Sequence, residues 1–370
     1  MPAAHAGHAR MMNNAGIVQL RLTQHGLSAP GALSPTEVVR RQGAMQSQEF
    51  GPAKWSIGQR IAGSTEPEVS RSFDDGAFLR THVLRATWHF VAAEDIRWLL
   101  ELTGPRIHQG NAGRYRELEL DAATRAKAGR AIVAAVEGGR HRTRTDLADH
   151  LTCAGISTEG QRMPYLLMHA ELEGLICSGP VRGKQQTYAL LSERAPQATS
   201  RSRDEALAEL VRRYFTSHGP ATIADFTRWC SLTVADTKRG IELLGNEMQS
   251  FTYDGRTWWH AELPAEVATE PSPTAHLLQA YDEYVNGYGE SRDVVDPFIH
   301  ATFRGNGYMP VVIIDGQVAG SWQRTLRAKE VQIEIHPFRP LTPAEHEAIN
   351  AATGAHSRFV GLVPRVSIPL

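Results

Sequence analysis

The chain has 370 residues, 42% hydrophobic and 21% charged, which is ordinary globular usage over a length that accommodates two to four domains. No run of 18 apolar residues is present, so a membrane-spanning helix is excluded, and the polar start from Met1 to Asn14 lacks the apolar core of a secretory signal. A formal net charge of −1 argues against a nucleic-acid binder, but the charge is uneven: residues 106–144 balance to +5 and residues 262–300 to −7, a field that can draw a polyanion to one face.

Residues 1–14 read as a disordered N-terminus. Ser34-Pro35-Thr36-Glu37 is a capping box with proline at the first helical position, which predicts a helix from Pro35 to about Met45. Gly51-Pro52 is a break. Phe78 to Val91 reads as one or two strands. Glu94 to Leu102 reads as a helix ended by Gly104-Pro105. An Ala-rich helix over 122–137 follows, closed by Gly138-Gly139. A short helix from Thr145 comes next, then a longer one from Ser157/Thr158 to Leu172, and a hairpin over Leu175–Leu191 around Arg182-Gly183-Lys184.

The same order then repeats. Asp204–Ser217 reads as a helix. Capping boxes at Thr222 and Thr233 open two more, and Phe251–Trp259 is a hairpin turning on Asp254-Gly255. Helix, short helix, second helix and hairpin is the order of a winged helix-turn-helix, and residues 15–104 fit a looser copy. The prolines of 264–273 mark a linker. Beyond it come a helix around Leu277–Tyr284, the hairpin Met309–Trp322 on Asp315-Gly316, an alternating strand Val331–Ile335, a helix Pro343–Ala352 and a terminal strand. The expected fold class is therefore α+β, with tandem winged helices followed by a mainly β domain, read as a small barrel.

Chemistry that announces itself by motif is absent: no P-loop, no dinucleotide fingerprint, no His-Glu-x-x-His and no Gly-x-Ser-x-Gly. Cys153, Cys177 and Cys230 fit neither a zinc site nor a disulfide framework, and the 16 histidines are scattered, so no metal and no cofactor are expected, in a cytoplasmic protein. Tandem winged helices suggest a clamp around one duplex. The remaining feature is Gln46-Ser47-Gln48. In an extended stretch residues two apart point the same way, so both carboxamides share a face and can hold a water or a flipped base through donor and acceptor edges. The alternative is a polar surface after a helix. On these residues alone a transcription regulator is the default.

Several segments resemble the AlkZ family of winged-helix DNA glycosylases, whose relatives include YcaQ, over about residues 17 to 365. They are Val38–Gln48, Arg80-Thr-His-Val-Leu-Arg85-Ala-Thr87-Trp-His89-Phe-Val, Tyr281-Asp282-Glu283-Tyr284 and Val312–Trp322. Only the first is a specific functional signature, the family's Gln-x-Gln motif. The YcaQ-like branch tends to an acid at the second position, so Gln48 implies the crosslink-unhooking branch. Two positions depart from the pattern: Ser47 stands where an apolar residue is usual, and Arg85-Ala86-Thr87-Trp88-His89 replaces Arg-Gly-Thr-x-His.

The resemblance implies three winged helices (15–105, 106–195, 202–262) in a C-shape around a DNA channel, followed by a C-terminal β-barrel over 274–370. It implies a monofunctional glycosylase, acting as a monomer and nucleoid-associated, on double-stranded DNA carrying alkylated or crosslinked guanine. The activity implied is excision of bulky N7-alkylpurines and unhooking of azinomycin-type interstrand crosslinks, which would confer self-resistance. Gln46 and Gln48 are the expected catalytic pair. The expected DNA contacts are Arg85, His89, Arg140, Arg142, Arg144, Arg182, Lys184, Arg304 and Asn306. Either the turn Arg304-Gly305-Asn306-Gly307 or the turn Asp315-Gly316 is expected to reach the minor groove. A regulator or a drug-sequestering protein is the rival reading.

Overall fold

The computed structural model describes residues 13–263, 273–298, 303–304 and 307–368. The expected loose N-terminus and most of the linker lie outside them. A first helix that patterning did not reveal, α1 (Asn14–Gln24), opens the chain. Its Arg21 is fully buried, donates to the Pro220 carbonyl at 3.0 Å and to Ser291 Oγ at 2.6 Å, and stacks 3.6 Å above the Tyr288 ring. A buried arginine interrupts the apolar stripe that would have marked the helix.

The order helix, short strand, two helices and hairpin occurs three times. The first set is α2 (Pro35–Gln42), β1 (Met45–Gln46), α3 (Phe50–Gly58), α4 (Glu66–Asp74), β2 (Phe78–Val83) and β3 (Thr87–Ala92), with sheet order β1-β3-β2. A long helix, α5 (Ile96–Glu117), leads into α6 (Ala122–Val136), β4 (Arg142–Thr143), α7 (Arg144–Cys153), α8 (Arg162–Leu172), β5 (Ile176–Ser178) and β6 (Thr187–Leu190), ordered β4-β6-β5. After the single turn α9 (Leu191–Arg194) come α10 (Arg203–Ser217), α11 (Ile223–Cys230), α12 (Val234–Leu244) and the two-stranded β7 (Gln249–Tyr253) and β8 (Arg256–His260). In this third set the bridge between Ala221 and Trp259 stands where the short strand stands in the others. The capping boxes at Ser34, Thr222 and Thr233 form as the sequence predicts.

The expected stop at Gly104-Pro105 is overturned: α5 runs through both residues. Proline removes one hydrogen bond, but the helix buries Trp98, Leu99 and Leu102 before that point and Ile107 and Tyr115 after it, and this burial outweighs the local cost. One helix therefore belongs to both the first and second sets. Arg80 N–H, donating to Ser178 Oγ at 2.8 Å, ties the first hairpin to the second. Arg213 and Asp95 pair at 3.0 Å between α10 and the start of α5.

The expected helix at Leu277–Tyr284 is also corrected. Ala275–Leu278 is a strand, β9, buried against β12, and only Glu283–Asn286 forms a helical turn, α13. The remaining strands are β10 (Phe303–Arg304), β11 (Gly307–Tyr308), β12 (Val311–Ile314), β13 (Gln317–Leu326), β14 (Glu330–Pro337) and, after α14 (Pro343–Val360), β15 (Val363–Ser367). The large sheet has the order β15-β14-β13-β12-β9. Among the described residues β15 and β9 do not pair, so the expected small barrel is a curled half-barrel whose concave side is filled by α14.

Candidate active site

Helix α2 stops at Gly43, whose φ of +77° is open to glycine at little cost. The chain then extends and pairs with β3, so that Met45 faces Phe90 and Gln46 faces His89. Ser47 N–H continues the pairing by donating to Trp88 O at 2.8 Å. Gln46 is buried. Its Oε1 accepts from Arg85 Nη2 at 2.9 Å and from Asn286 Nδ2 at 2.5 Å. A guanidinium can only donate, so the orientation of the Gln46 amide is fixed with oxygen toward Arg85 and Nε2 away. Among the described residues that Nε2 donates to no acceptor. Gln48 is exposed, and its Oε1 accepts one long hydrogen bond, 3.4 Å, from Trp88 N–H. Between them Ser47 is fully buried, and its hydroxyl bonds to no described residue.

Arg85 is aimed by strain. Leu84, at the tip of the β2–β3 hairpin, has a φ of +60°, and Arg85 N–H donates to Val83 O at 2.6 Å, closing a three-residue turn. A positive φ at leucine costs on the order of 1–3 kcal/mol. Complete burial of the Leu84 side chain, and its N–H donating to Thr103 Oγ1 at 3.2 Å, hold the turn in place.

Behind Gln46 lies Glu283, at the start of α13 and almost fully buried. Its Oε1 accepts from Gln46 N–H at 2.7 Å and its Oε2 from Trp229 Nε1–H at 2.8 Å, with His218 Nε2 3.5 Å away. Burial works against ionisation. The hydrogen bond from His218 and the Arg85 charge, joined in acid by the charges of His218 and His89 once those rings take up protons, overcome it and hold the carboxyl at about 2. Arg60, paired with Asp282 at 2.7 Å, anchors the neighbouring residue to the end of α3. The Tyr281–Tyr284 segment was legible as part of a resemblance, but no role for Glu283 or Asn286 was. Their signal was an Asp-Glu pair set among tyrosines.

The expected DNA contacts separate into groups. Arg85 lines a cleft of about 600 Å³ with Arg106, Gln109 and Ser231. His89 stands apart: it is fully buried opposite Gln46 and presents no surface to DNA in this structure. Its Nδ1–H donates to Thr87 O at 3.0 Å, and burial, together with the Arg85 charge, drops its pKa to about 3, so the ring is neutral. Arg140 and Arg142 donate to the Ala134 and Ala135 carbonyls and so close the C-terminal end of α6. Arg182 pairs with Asp146 at 2.9 Å. The side chains of Arg144 and Lys184 are exposed and, among the described residues, make no hydrogen bond or ion pair. The side chain of Arg304 and all of Asn306 lie outside the described residues, although the ladder Phe303–Tyr308 and Arg304–Gly307 is formed. The Asp315-Gly316 turn is not free to enter a groove: Gly316 O accepts from Tyr284 Oη at 2.8 Å, and a Cβ on Gly316 would meet Val18 at 2.3 Å.

A family model described as DNA glycosylase AlkZ-like matches residues 39–359. The chain belongs to the AlkZ-like DNA glycosylases. It is 27% identical over 346 residues to a Streptomyces sahachiroi protein named interstrand DNA cross-link repair glycosylase, covering 86% of this chain and 90% of that one. The solved Streptomyces sahachiroi DNA glycosylase AlkZ has the same fold, with a TM-score of 0.74, 24% identity, and coverage of 95% of this chain and 98% of that one. In this AlkZ-like glycosylase no helix among the described residues is long and apolar enough to cross a membrane.

Buried neutral histidines make the fold acid-sensitive. The folded-state pKa of His89 lies below its unfolded value, so the unfolded chain binds the proton first, and stability falls as pH drops below 6.5. For this residue alone the loss is on the order of 2 kcal/mol at pH 5. His218 and His276 shift in the same direction, burial being the main cause. Melting temperature should therefore fall steeply between pH 7 and pH 5. A flat profile there would show that these rings are not buried and neutral.

Proposed function

We propose that this glycosylase hydrolyses the N-glycosidic bond of bulky N7-alkylguanines and unhooks interstrand crosslinks of the azinomycin type, giving self-resistance to a DNA-alkylating compound. The three repeated sets of elements are read as winged helices around a DNA channel, and the protein as a monomer. The observation that carries the reading is the Gln46–Gln48 pair, one amide fixed by Arg85 and Asn286 and the other exposed beside it.

An N7-alkylguanine carries positive charge, so the C1′–N9 bond breaks with the electron pair leaving on a base that becomes neutral, and no general acid is needed. What remains is to place a water and stabilise an oxocarbenium-like sugar. The two amides divide this work. The Gln46 oxygen already has two donors, so this residue orients the water through Nε2–H. Gln48 Oε1 has one weak donor and accepts a hydrogen bond from the water as its oxygen attacks C1′, and the proton shed by the new hydroxyl passes to solvent. The ionised Glu283, one layer behind, adds negative potential in a dry environment, where it falls off slowly. The test is release of the free alkylated base from a defined duplex. A regulator would instead prefer an operator sequence and release nothing, and a sequestering protein would bind the free compound without DNA.

The reaction leaves an abasic site without strand cleavage. A lyase needs an amine nucleophile. Lys54, six residues past Gln48, is turned from the pair: its Nζ is bonded to Glu66 and, at 2.8 Å, to Ser70 Oγ. Borohydride should trap no protein–DNA adduct, while alkali should reveal breaks at the modified base. A trapped adduct lost in Lys54→Ala would overturn the water mechanism.

Phosphate contact falls to the unpaired cations. Lys184→Ala and Arg144→Ala should each lower the slope of log K against log salt by about 0.9. Arg182→Ala should change it less, because Asp146 already neutralises that side chain. Equal effects of all three, measured by fluorescence anisotropy across salt, would contradict this assignment.

A further inference from the structure

Where helices α5 and α8 pack together, His108, His169 and Glu173 bring one donor atom each within 4.8 Å of one another. His169 and Glu173 are one helical turn apart, and His108 comes from the facing helix. His108 Nε2 stands 3.0 Å from Glu173 Oε1, and His169 Nε2 3.9 Å from the same oxygen. At 3.0 Å His108 and Glu173 form a close pair, although the buried His108 Nε2 is not in good hydrogen-bond geometry with the carboxylate. Two imidazoles and a carboxylate converging on one point, both rings facing the same carboxylate oxygen, are the arrangement expected around a shared ion. Tetrahedral ligands at about 2.0–2.1 Å from a metal stand about 3.4 Å apart, and the separations of 3.0 and 3.9 Å bracket that value.

We propose that His108, His169 and Glu173 form a binding site for a borderline divalent transition-metal ion of the zinc class, with solvent completing its coordination. Two imidazoles and one carboxylate suit zinc, cobalt or nickel, whereas magnesium and calcium take oxygen donors. On its other side His108 Nδ1 is 3.0 Å from Tyr115 Oη, the kind of outer partner that fixes the tautomer and orientation of a metal-bound histidine. A cleft of about 520 Å³ lined by Arg125, Arg130, His169 and Glu173 gives solvent access. Arg125, 4.4 Å above the Tyr115 ring, is the nearest cation and opposes binding, while the Glu173 charge offsets it. The ion would fasten α8 to α5, the helix shared by the first and second sets of elements.

The test is titration of the full chain, freed of metal by chelator, with Co(II), followed by visible absorption and thermal melting. One equivalent should bind, with d–d bands of low coordination number and a raised melting temperature. His169→Ala and the near-isosteric Glu173→Gln should lose the bands, and Tyr115→Phe, which keeps all three ligands, should weaken binding about ten- to a hundredfold. The His5→Ala/His8→Ala variant should bind as wild type does. No binding by the wild-type chain would overturn the site, as would bands that persist in both ligand variants or vanish in His5→Ala/His8→Ala alone.

Discussion

Gln48→Ala is expected to lower the single-turnover rate of base release by about 10²–10³, the scale of removing one preorganised polar group from a transition state. Its melting temperature should hardly change. Gln48 is exposed and accepts a single 3.4 Å hydrogen bond, and surface substitutions of that kind stay within about 0.5 kcal/mol. Gln46→Ala should lose a similar factor in rate and differ in stability. Its oxygen satisfies Arg85 and Asn286 in a buried setting, so removing it strands two donors at a cost of about 1–3 kcal/mol. Rates and denaturant melts on the two variants separate these effects. Near wild-type rates in both would remove the catalytic assignment, and equal stabilities would contradict the division between a fixed and an exposed amide.

The largest expected effect on stability is that of Glu283→Gln. The substitution keeps the shape and removes a buried charge that accepts from Gln46 N–H and Trp229 Nε1–H. One of those donors would then face an amide NH₂, and a buried donor left unpaired costs about 1–3 kcal/mol, more where the lost partner was charged. The sign with pH follows from the shift. The Glu283 carboxyl is held below its ordinary value, so its contribution is present above that value and is lost as pH falls toward 2. The difference between wild type and Glu283→Gln should therefore be full at pH 7. Because Glu283 acts through Gln46, its rate loss should not add to that of Gln46→Ala. A double variant that is slower by the product of the two single effects would show that Glu283 acts independently.

Local chemistry made much of this architecture legible. The capping boxes at Ser34, Thr222 and Thr233, the Asp254-Gly255 and Asp315-Gly316 turns and the alternation over Val331–Ile335 each have one strong local cause, and each element is present. Expectations failed where distant contacts override local preference. Pro105 stays inside α5 because apolar residues on both sides of it are buried. Leu277 and Leu278 form a strand because β12 offers an edge. Gln46-Ser47-Gln48 was visible as a motif, but its asymmetry was not. The burial of Gln46 depends on Asn286 and Glu283, some 240 positions away in the chain. The burial of His89 is hidden for the same reason: a histidine in an alternating strand carries no mark of which face is covered. The three groups that could ligate a metal are scattered in sequence, and only the His169–Glu173 spacing hints at them.

Hydrolysis of an N7-alkylguanine glycosidic bond by the Gln46–Gln48 pair leaves an alkali-labile site that strand analysis reads out. It is tested most directly by incubating wild type and Gln48→Ala, in excess, with a duplex carrying one defined N7-alkylguanine, then treating with alkali and resolving the strands. One alkali-dependent break should appear at the modified base with wild type, formed about 10²–10³ times more slowly by Gln48→Ala at unchanged DNA affinity. Breaks appearing at the same rate with both proteins, or none with wild type despite tight binding, would contradict it.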